Sequence, residues 1–276
     1  MKAIAVRTAI ETILDSIAPL ETVELTLKEA AGSVLAEDIT AIDDVPFTDN
    51  SGMDGYAVIS EELKSAAPDH PIRLRVIPDL IAAGLAKEIG IAHGTTAKIM
   101  TGAMIPSGAD AVVPIENVKV EGESILFEEA VSEGQHIRRA GEDITAGQTV
   151  LRRGTELTPG ALAVAVSAGR ARAQIHRRPV VAVFTSGDEL VLPGAPMKPG
   201  LVRNSNSLCV AAMLRDAGCD VVDLGIAKDE KMQIREGIQL ARRADAVVTT
   251  GGMSVGDRDL MRLVLEEEGL KIKFWR

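Results

Sequence analysis

Three short apolar runs in the second half of the chain, Val180–Phe184, Val221–Leu224 and Ala246–Thr250, limit the fold more than any other feature. None alternates polar with apolar residues, so each suits a parallel strand covered on both faces. Helical patterns lie between them, about Ser207–Ala217 (closed by Gly218) and about Glu230–Arg243. A further helix, about Arg258–Glu268, is closed by Gly269 and leads to a last strand, Leu270–Trp275. Strand and helix in alternation predict an open, mostly parallel α/β sheet with right-handed crossovers. Aromatic residues make up only 2% of the chain, so the core is aliphatic, as such strands require.

The first half reads differently. Val6, Ile10, Ile13, Leu14 and Ile17 recur at helical spacing until Pro19 stops them. A strand-like Val23–Leu27 follows, then a short helix is predicted through Ala30, Ala31, Val34 and Leu35. From about Ile42 to about Gly141 short strands and turns dominate: Ile72–Val76, Ala97–Met100, Ala111–Ile115 and a hairpin of Val118–Val120 with Ile125–Phe127. A helix resumes at Thr158-Pro159, a hydroxyl cap followed by proline in the first turn, and closes at Gly169. The expected organisation is therefore α/β and multidomain. Residues 1–41 with 142–177 form a discontinuous α+β scaffold or dimerisation domain, 42–141 an inserted small β domain, and 178–276 the α/β domain.

With 276 residues, 46% of them hydrophobic and 25% charged, the chain has the balance of a globular protein of two or three domains. A formal charge of -10 argues against nucleic acid or an anionic membrane as the main partner. It leaves room for an anionic substrate, because backbone N–H groups and a divalent cation suffice locally. Cys209 and Cys219 and the scattered His70, His93, His136 and His176 show no zinc spacing and read as two reduced, buried thiols and four surface or structural imidazoles. No signal segment or membrane-length apolar run is present, so a cytoplasmic protein is expected.

In open α/β sheets ligands bind beyond the carboxyl ends of the strands. Here the three strand ends run into Thr185-Ser-Gly-Asp-Glu189, Lys228-Asp229 and Thr249-Thr-Gly-Gly-Met-Ser-Val-Gly-Asp-Arg-Asp259. The Gly251–Gly256 loop, opening a helix, suits a phosphate or another oxyanion, although it matches neither the dinucleotide nor the P-loop pattern. Carboxylates beside such a cradle call for a hard cation, and Mg²⁺ shared with substrate phosphates is the economical answer. Asp229, at the mouth of a helix, reads equally as an N-cap. A second group of turn-rich segments lies in the first half, at 49–57, 100–103 and 141–143; each reads as a plain turn or as a site.

The segments DNSGMDGYAV (49–58), IMTGAMIPSGADAVVPIE (99–116), RRAGEDI (138–144), TSGDEL (185–190), RNSNS (203–207) and TTGGMSVGDRD (249–259) together resemble the signatures of the molybdopterin molybdenumtransferase family, which includes a domain of gephyrin. The likeness covers the whole chain, in family order. It implies an elongated homodimer whose site lies between the α/β domain of one subunit and the small β domain of the other. Asp54, Thr101, Asp143, Glu189 and Asp229 match positions linked to activity. Ser186, Gly187, Asp188, Asn204, Gly251, Gly252, Ser254 and Gly256 fall in substrate-binding segments, and Glu189 and Asp259 in Mg²⁺ positions. The implied reaction takes adenylyl-molybdopterin and molybdate, releases AMP and leaves molybdenum on the pterin dithiolene. Position 52 is Gly where the family more often has Ala. Family chains continue beyond a Phe274-Trp275 strand into a basic loop and a C-terminal β domain, whereas this sequence ends at Arg276. That difference supports a second reading, a pterin-binding or scaffold protein that does not complete the reaction. The set Asp54, Thr101, Asp143, Glu189, Asp229 and Asp259, retained at all six positions, favours catalysis, because clustered charges cost stability unless they are used. A third reading, a hydrolase on the same α/β module, leaves the 49–58 and 99–116 signatures unexplained.

Overall fold

The computed structural model describes residues 4–84, 89–251, 260–271 and 273. In chain order it contains α1 (Val6–Leu14), β1 (Thr22–Thr26), β2 (Val34–Leu35), β3 (Ile39–Thr40), β4 (Asn50–Ser51), β5 (Gly55–Val58) and β6 (Ile72–Val76). Then come β7 (Thr95–Ile99), β8 (Ala111–Pro114), β9 (Val118–Glu121), β10 (Ser124–Phe127), β11 (Ile137–Arg138), β12 (Thr149–Leu151) and α2 (Pro159–Ser167). The last part holds β13 (Arg172–His176), β14 (Val180–Ser186), β15 (Leu190–Val191), β16 (Val202–Arg203), α3 (Asn206–Asp216), β17 (Asp220–Ala227), α4 (Lys231–Ala241), β18 (Ala246–Thr250) and α5 (Leu260–Glu267). The fold is α/β and multidomain. Two compact units emerge, one of Met1–Ala36 with Gln174–Arg276, the other of Glu37–Ala173.

In the first unit the expected strands form a parallel sheet in the order β17-β14-β18. Alternation along β14 sends Phe184 to one face, where it packs with Ile234 and Ile238 of α4 and Met261 and Val264 of α5. Thr185 points to the other face and meets Ser207 of α3. Burying a side chain such as Phe184 is worth about 1.5–3 kcal/mol. Gly237 lies in the middle of α4, where glycine costs helix stability, because a Cβ there would stand 2.2 Å from the Phe184 ring.

Coverage on both faces, expected of all three strands, is complete only for β14. Val222 of β17 is 45% exposed and Val247 of β18 is 43% exposed. Among the described residues these two strands are the edges of the sheet, and both become more buried toward their carboxyl ends. The predicted last strand falls largely outside the described residues. Neither thiol is buried as expected: Cys209, on α3, is exposed, and Cys219, just after that helix, is half-buried.

The helix predicted through Ala30–Leu35 is absent. One turn forms after β1, held by the Thr26 hydroxyl on Glu29 (2.6 Å) and the Ala30 N–H on the Thr26 carbonyl (2.9 Å). Gly32 then adopts a φ of 72° and ends it. Leu35, fully buried, pairs with Ile175 in the sheet β1-β13-β2, so strand pairing overrides local helix preference. α1 ends at Leu14, short of Pro19, and its apolar stripe of Val6, Ile10, Ile13 and Leu14 is exposed.

The second unit is built on a six-stranded sheet in the order β8-β5-β7-β6-β10-β9. Tyr56 and Val58 of β5 join Leu63, Leu74, Ile125 and Phe127 in one core. Ala57 between them faces the other way, into a core with Ile81, Ala97, Ile99 and Val112. This period of two is what lets one short strand serve two cores. The predicted hairpin forms with Glu121 opposite Ser124. α2 starts as read, with the Thr158 hydroxyl accepting the Ala161 N–H at 3.3 Å.

Candidate functional site

Within the second unit three of the motif segments are laced together. The Gly102 N–H donates to the Ser51 carbonyl (2.8 Å) and the Ser51 N–H to the Ala103 carbonyl (2.9 Å), joining segments 49–58 and 99–116. β4 pairs with β11, placing Arg138 opposite Asn50, which brings in segment 138–144. Gly52 belongs at this crossing, because its Cβ position lies 3.3 Å from the His136 carbonyl. Gly55 is more constrained: a Cβ there would sit 2.1 Å from the Val113 carbonyl of β8.

On this frame the acidic side chains find specific donors. Asp54 Oδ1 accepts the Thr101 amide and the Thr101 hydroxyl, both at 2.7 Å. Those two bonds, the amide first, and the nearby Lys98 charge hold the Asp54 carboxyl below its usual range. Asp143 accepts from Arg138 at 2.5 Å. Asp49 takes the Ala140 N–H (2.8 Å) and Arg139 Nη1 (2.6 Å), and these bonds lower its pKa in that order. Asp54, Thr101 and Asp143 are exposed. Arg138, Arg139 and Asp49 were not singled out from sequence; the adjacent arginines before an acidic pair were the available signal.

In the first unit the predicted loops gather at the carboxyl edge of the sheet. Ser186, at the end of β14, is 2% exposed and its Oγ has no hydrogen-bond partner among the described residues. The Gly187 N–H reaches the Ala227 carbonyl of β17 (3.1 Å). Beyond it the Asp188 amide donates to Asp229 (3.4 Å) and the Asp229 amide to Asp188 (3.3 Å), a reciprocal pair of long bonds between two acidic loops. The cap position of α4 is Glu230, without a side-chain cap bond, so Asp229 is not the N-cap that its position suggested. Glu189 folds back toward Gly187, where a Cβ would lie 2.8 Å from Glu189 Oε2. Gly251 leaves β18 with a φ of 85°, and a Cβ there would stand 2.3 Å from the Ser186 carbonyl. Only glycine fits so close to that backbone.

Asn204 lies on the opposite face of β14 from Ser186. The Ser207 N–H donates to Asn204 Oδ1 (3.2 Å), and Asn204 Nδ2 donates to Ser207 Oγ (2.7 Å). Thr185 Oγ1 lies 2.7 Å from Ser207 Oγ and 2.9 Å from Thr250 Oγ1. The structure therefore brings Ser186, Gly187, Asp188, Glu189, Asn204, Asp229 and Gly251 to one end of one sheet. Asp54, Thr101 and Asp143 belong to the other unit. Gly252, Ser254, Gly256 and Asp259 lie outside the described residues. Among the described residues no group of three or more His, Cys, Asp or Glu is gathered for a metal ion.

Comparison with known proteins finds matches to the segments that carry both clusters. The MoeA N-terminal region (domain I and II) matches residues 4–169, and a probable molybdopterin binding domain matches residues 182–276. Molybdopterin molybdenumtransferase 2 of Mycobacterium tuberculosis is 39% identical over 237 residues, 86% of this chain and 58% of that protein. The molybdopterin molybdenumtransferase of Haemophilus influenzae is 38% identical over 260 residues, 94% of this chain and 63% of its own length. A crystal structure of the molybdopterin biosynthesis moeA protein from Pyrococcus horikoshii OT3 superposes with a TM-score of 0.82 at 33% identity, covering 91% of this chain and 67% of that one. The chain thus spans about three-fifths of the length of these curated relatives. By both halves of its sequence and by its fold, the chain belongs to the molybdopterin molybdenumtransferase family.

Proposed function

We propose that the chain carries the transferase chemistry of its family, taking molybdenum from molybdate to adenylyl-molybdopterin with release of AMP. The observation that carries this reading is the convergence of Ser186, Asp188, Asp229 and Gly251 on the carboxyl edge of a parallel sheet. Ligands bind at such edges in open α/β folds. Gly251 lets the backbone approach a phosphate there.

Asp54 works as a carboxylate in this scheme. Its two bonds from Thr101 favour the charged form, so at neutral pH it accepts hydrogen bonds or a proton and does not supply one. Arg138 donates to Asp143 and fixes the orientation of its carboxyl group. Glu189 and Asp259 would hold Mg²⁺, which takes one or two carboxylates together with substrate phosphates. When bound, the ion screens the charge on the phosphoanhydride. The acidic residues of the edge would otherwise repel the substrate.

The active unit in this reading is a homodimer with its site shared between subunits, acting in the cytoplasm. Residues 1–41 with 142–177 form its scaffold domain, 42–141 the small β domain and 178–276 the pterin-binding domain. Pairing of β12 with β3 and of β13 with β2 supports this division, because it joins 34–40 to 149–176 across the intervening segment. Among the described residues no helix is long and apolar enough to cross a membrane. The test is AMP release from adenylyl-molybdopterin with Mg²⁺, with and without molybdate. Molybdate-dependent release supports the reading, and substrate binding without release overturns it.

A further inference from the structure

The hydroxyl chain beneath the carboxyl edge has a direction, and the direction assigns a role to Thr250 at its end. A backbone N–H can only donate, so the Asn204 atom that receives the Ser207 N–H must be the amide oxygen. This fixes the amide orientation without reference to how similar its oxygen and nitrogen look. The Asn204 NH₂ therefore faces Ser207 Oγ and can only donate to it, at 2.7 Å. Ser207 Oγ keeps a second lone pair, but its buried proton finds only Thr185 Oγ1, at 2.7 Å, as an acceptor among the described residues, so donation to Thr185 is the order that strands no buried proton. Thr185 passes the pattern on, donating to Thr250 Oγ1 at 2.9 Å. Asn204, Ser207 and Thr185 are 5%, 5% and 1% exposed, so no competing water resets the order. Thr250 is half-buried at the mouth of the sheet. Its oxygen accepts from Thr185, and its proton has no acceptor among the described residues.

We infer that Thr250 donates its hydroxyl to a phosphate monoester at this edge, and that Asn204 sets the direction of that donation through Ser207 and Thr185. The inference rests on the reading of the edge as the substrate site, and deepens it. Had the chain run the other way, Thr250 would present lone pairs to an anion and repel it. Asn204 is thus a positioning residue, and Thr250 the group that touches the ligand.

The chain is testable because one isosteric change reverses it. Asn204→Asp keeps the oxygen that receives the Ser207 N–H but replaces the donor by an acceptor. Ser207 then donates to position 204, Thr185 to Ser207 and Thr250 to Thr185. The measurement is calorimetric titration of the folded chain with AMP in one arm and with the phosphate ester of 6-hydroxymethylpterin in the other. Thr250→Val is expected to weaken binding of the phosphate ester roughly 10- to 100-fold, the range for a hydrogen bond to a charged group. Thr250→Ser, which keeps the donor, restores it. Asn204→Asp weakens binding to a similar degree in the native background and has no further effect in the Thr250→Val background.

A loss that persists in the Thr250→Val background would be the added charge acting at a distance, and overturns the relay. Failure of the native chain to bind either ester overturns it as well, as does full affinity in Thr250→Val. If Asn204→Asp does not fold, Ser207→Ala interrupts the chain at its centre and must weaken binding only where Thr250 is present. Binding of AMP assigns the edge to the nucleotide phosphate, and binding of the pterin ester alone assigns it to the pterin; either supports the relay. An intact cycle without AMP release in the transferase assay would sink the transferase reading and leave the relay standing.

Discussion

Asp54 Oδ1 receives two hydrogen bonds from a single residue, the amide and the hydroxyl of Thr101, each 2.7 Å long. Both converge on one oxygen, which leaves Oδ2 for a ligand. An amide oxygen has two lone pairs and can accept the same two bonds, so Asp54→Asn preserves the contact while removing the charge. The variant should fold with an unchanged melting temperature and lose transferase rate by about 10²-fold or more, the scale of one proton-handling group. Thr101→Val removes only the hydroxyl bond and should raise the Asp54 pKa from its lowered position toward 3.8, read by carboxyl NMR titration. An unchanged rate in Asp54→Asn would remove Asp54 from the chemistry.

Gly237 offers a test of packing. Alanine is favoured over glycine in a helix by roughly 1 kcal/mol. Here the added methyl would lie 2.2 Å from Phe184 Cζ and 2.4 Å from Cε2, inside a filled core. Overpacking of that kind costs about 1–3 kcal/mol, so the sign of Gly237→Ala should be destabilising, seen as a lower urea midpoint. Shortening the ring in the same chain, with Phe184→Leu, should recover part of the loss.

Arg177 clamps Asp245 through two bonds of 2.6 Å and reaches Glu21 with its third nitrogen at 2.5 Å. Bonds from Arg177 and from the Val180 N–H hold the Asp245 pKa at about 2, against 3.8 ordinarily. A depressed carboxylate contributes stability that is fully present above its unfolded pKa and lost as pH falls through the folded one. The stability difference between the native chain and Asp245→Asn should therefore be constant near neutrality and shrink between pH 4 and pH 2. Salt should reduce it, because the pair is solvent-accessible. A difference that persists at pH 2 would contradict the assignment.

Much of this was legible in the residues. The run at Val180–Phe184 is apolar because it lies in the central strand of its sheet, covered on both faces, and Thr158-Pro159 reads as a helix start because a hydroxyl there has an orphan N–H to meet. What escaped was non-local. Leu35 looks helical until Ile175, far along the chain, is beside it. Asp229 looks like a cap until α4 begins one residue further on, with Glu230 in the cap position and the Asp229 carboxylate turned to the Asp188 N–H. Thr185 and Thr250 stood inside recognised motifs, but only the register of β14 with β18 makes them neighbours. Arg172–His176, rich in polar residues, was not read as a strand because its partners β1 and β2 determine it.

The central claim is transfer, and the most direct measurement counts AMP released and molybdenum bound to the pterin in the same reaction. The account predicts equal amounts of both, dependent on molybdate, with both lost in Asp54→Asn and in Glu189→Gln while the substrate still binds. Release of AMP at the same rate without molybdate, or tight binding of adenylyl-molybdopterin with neither product, would contradict it.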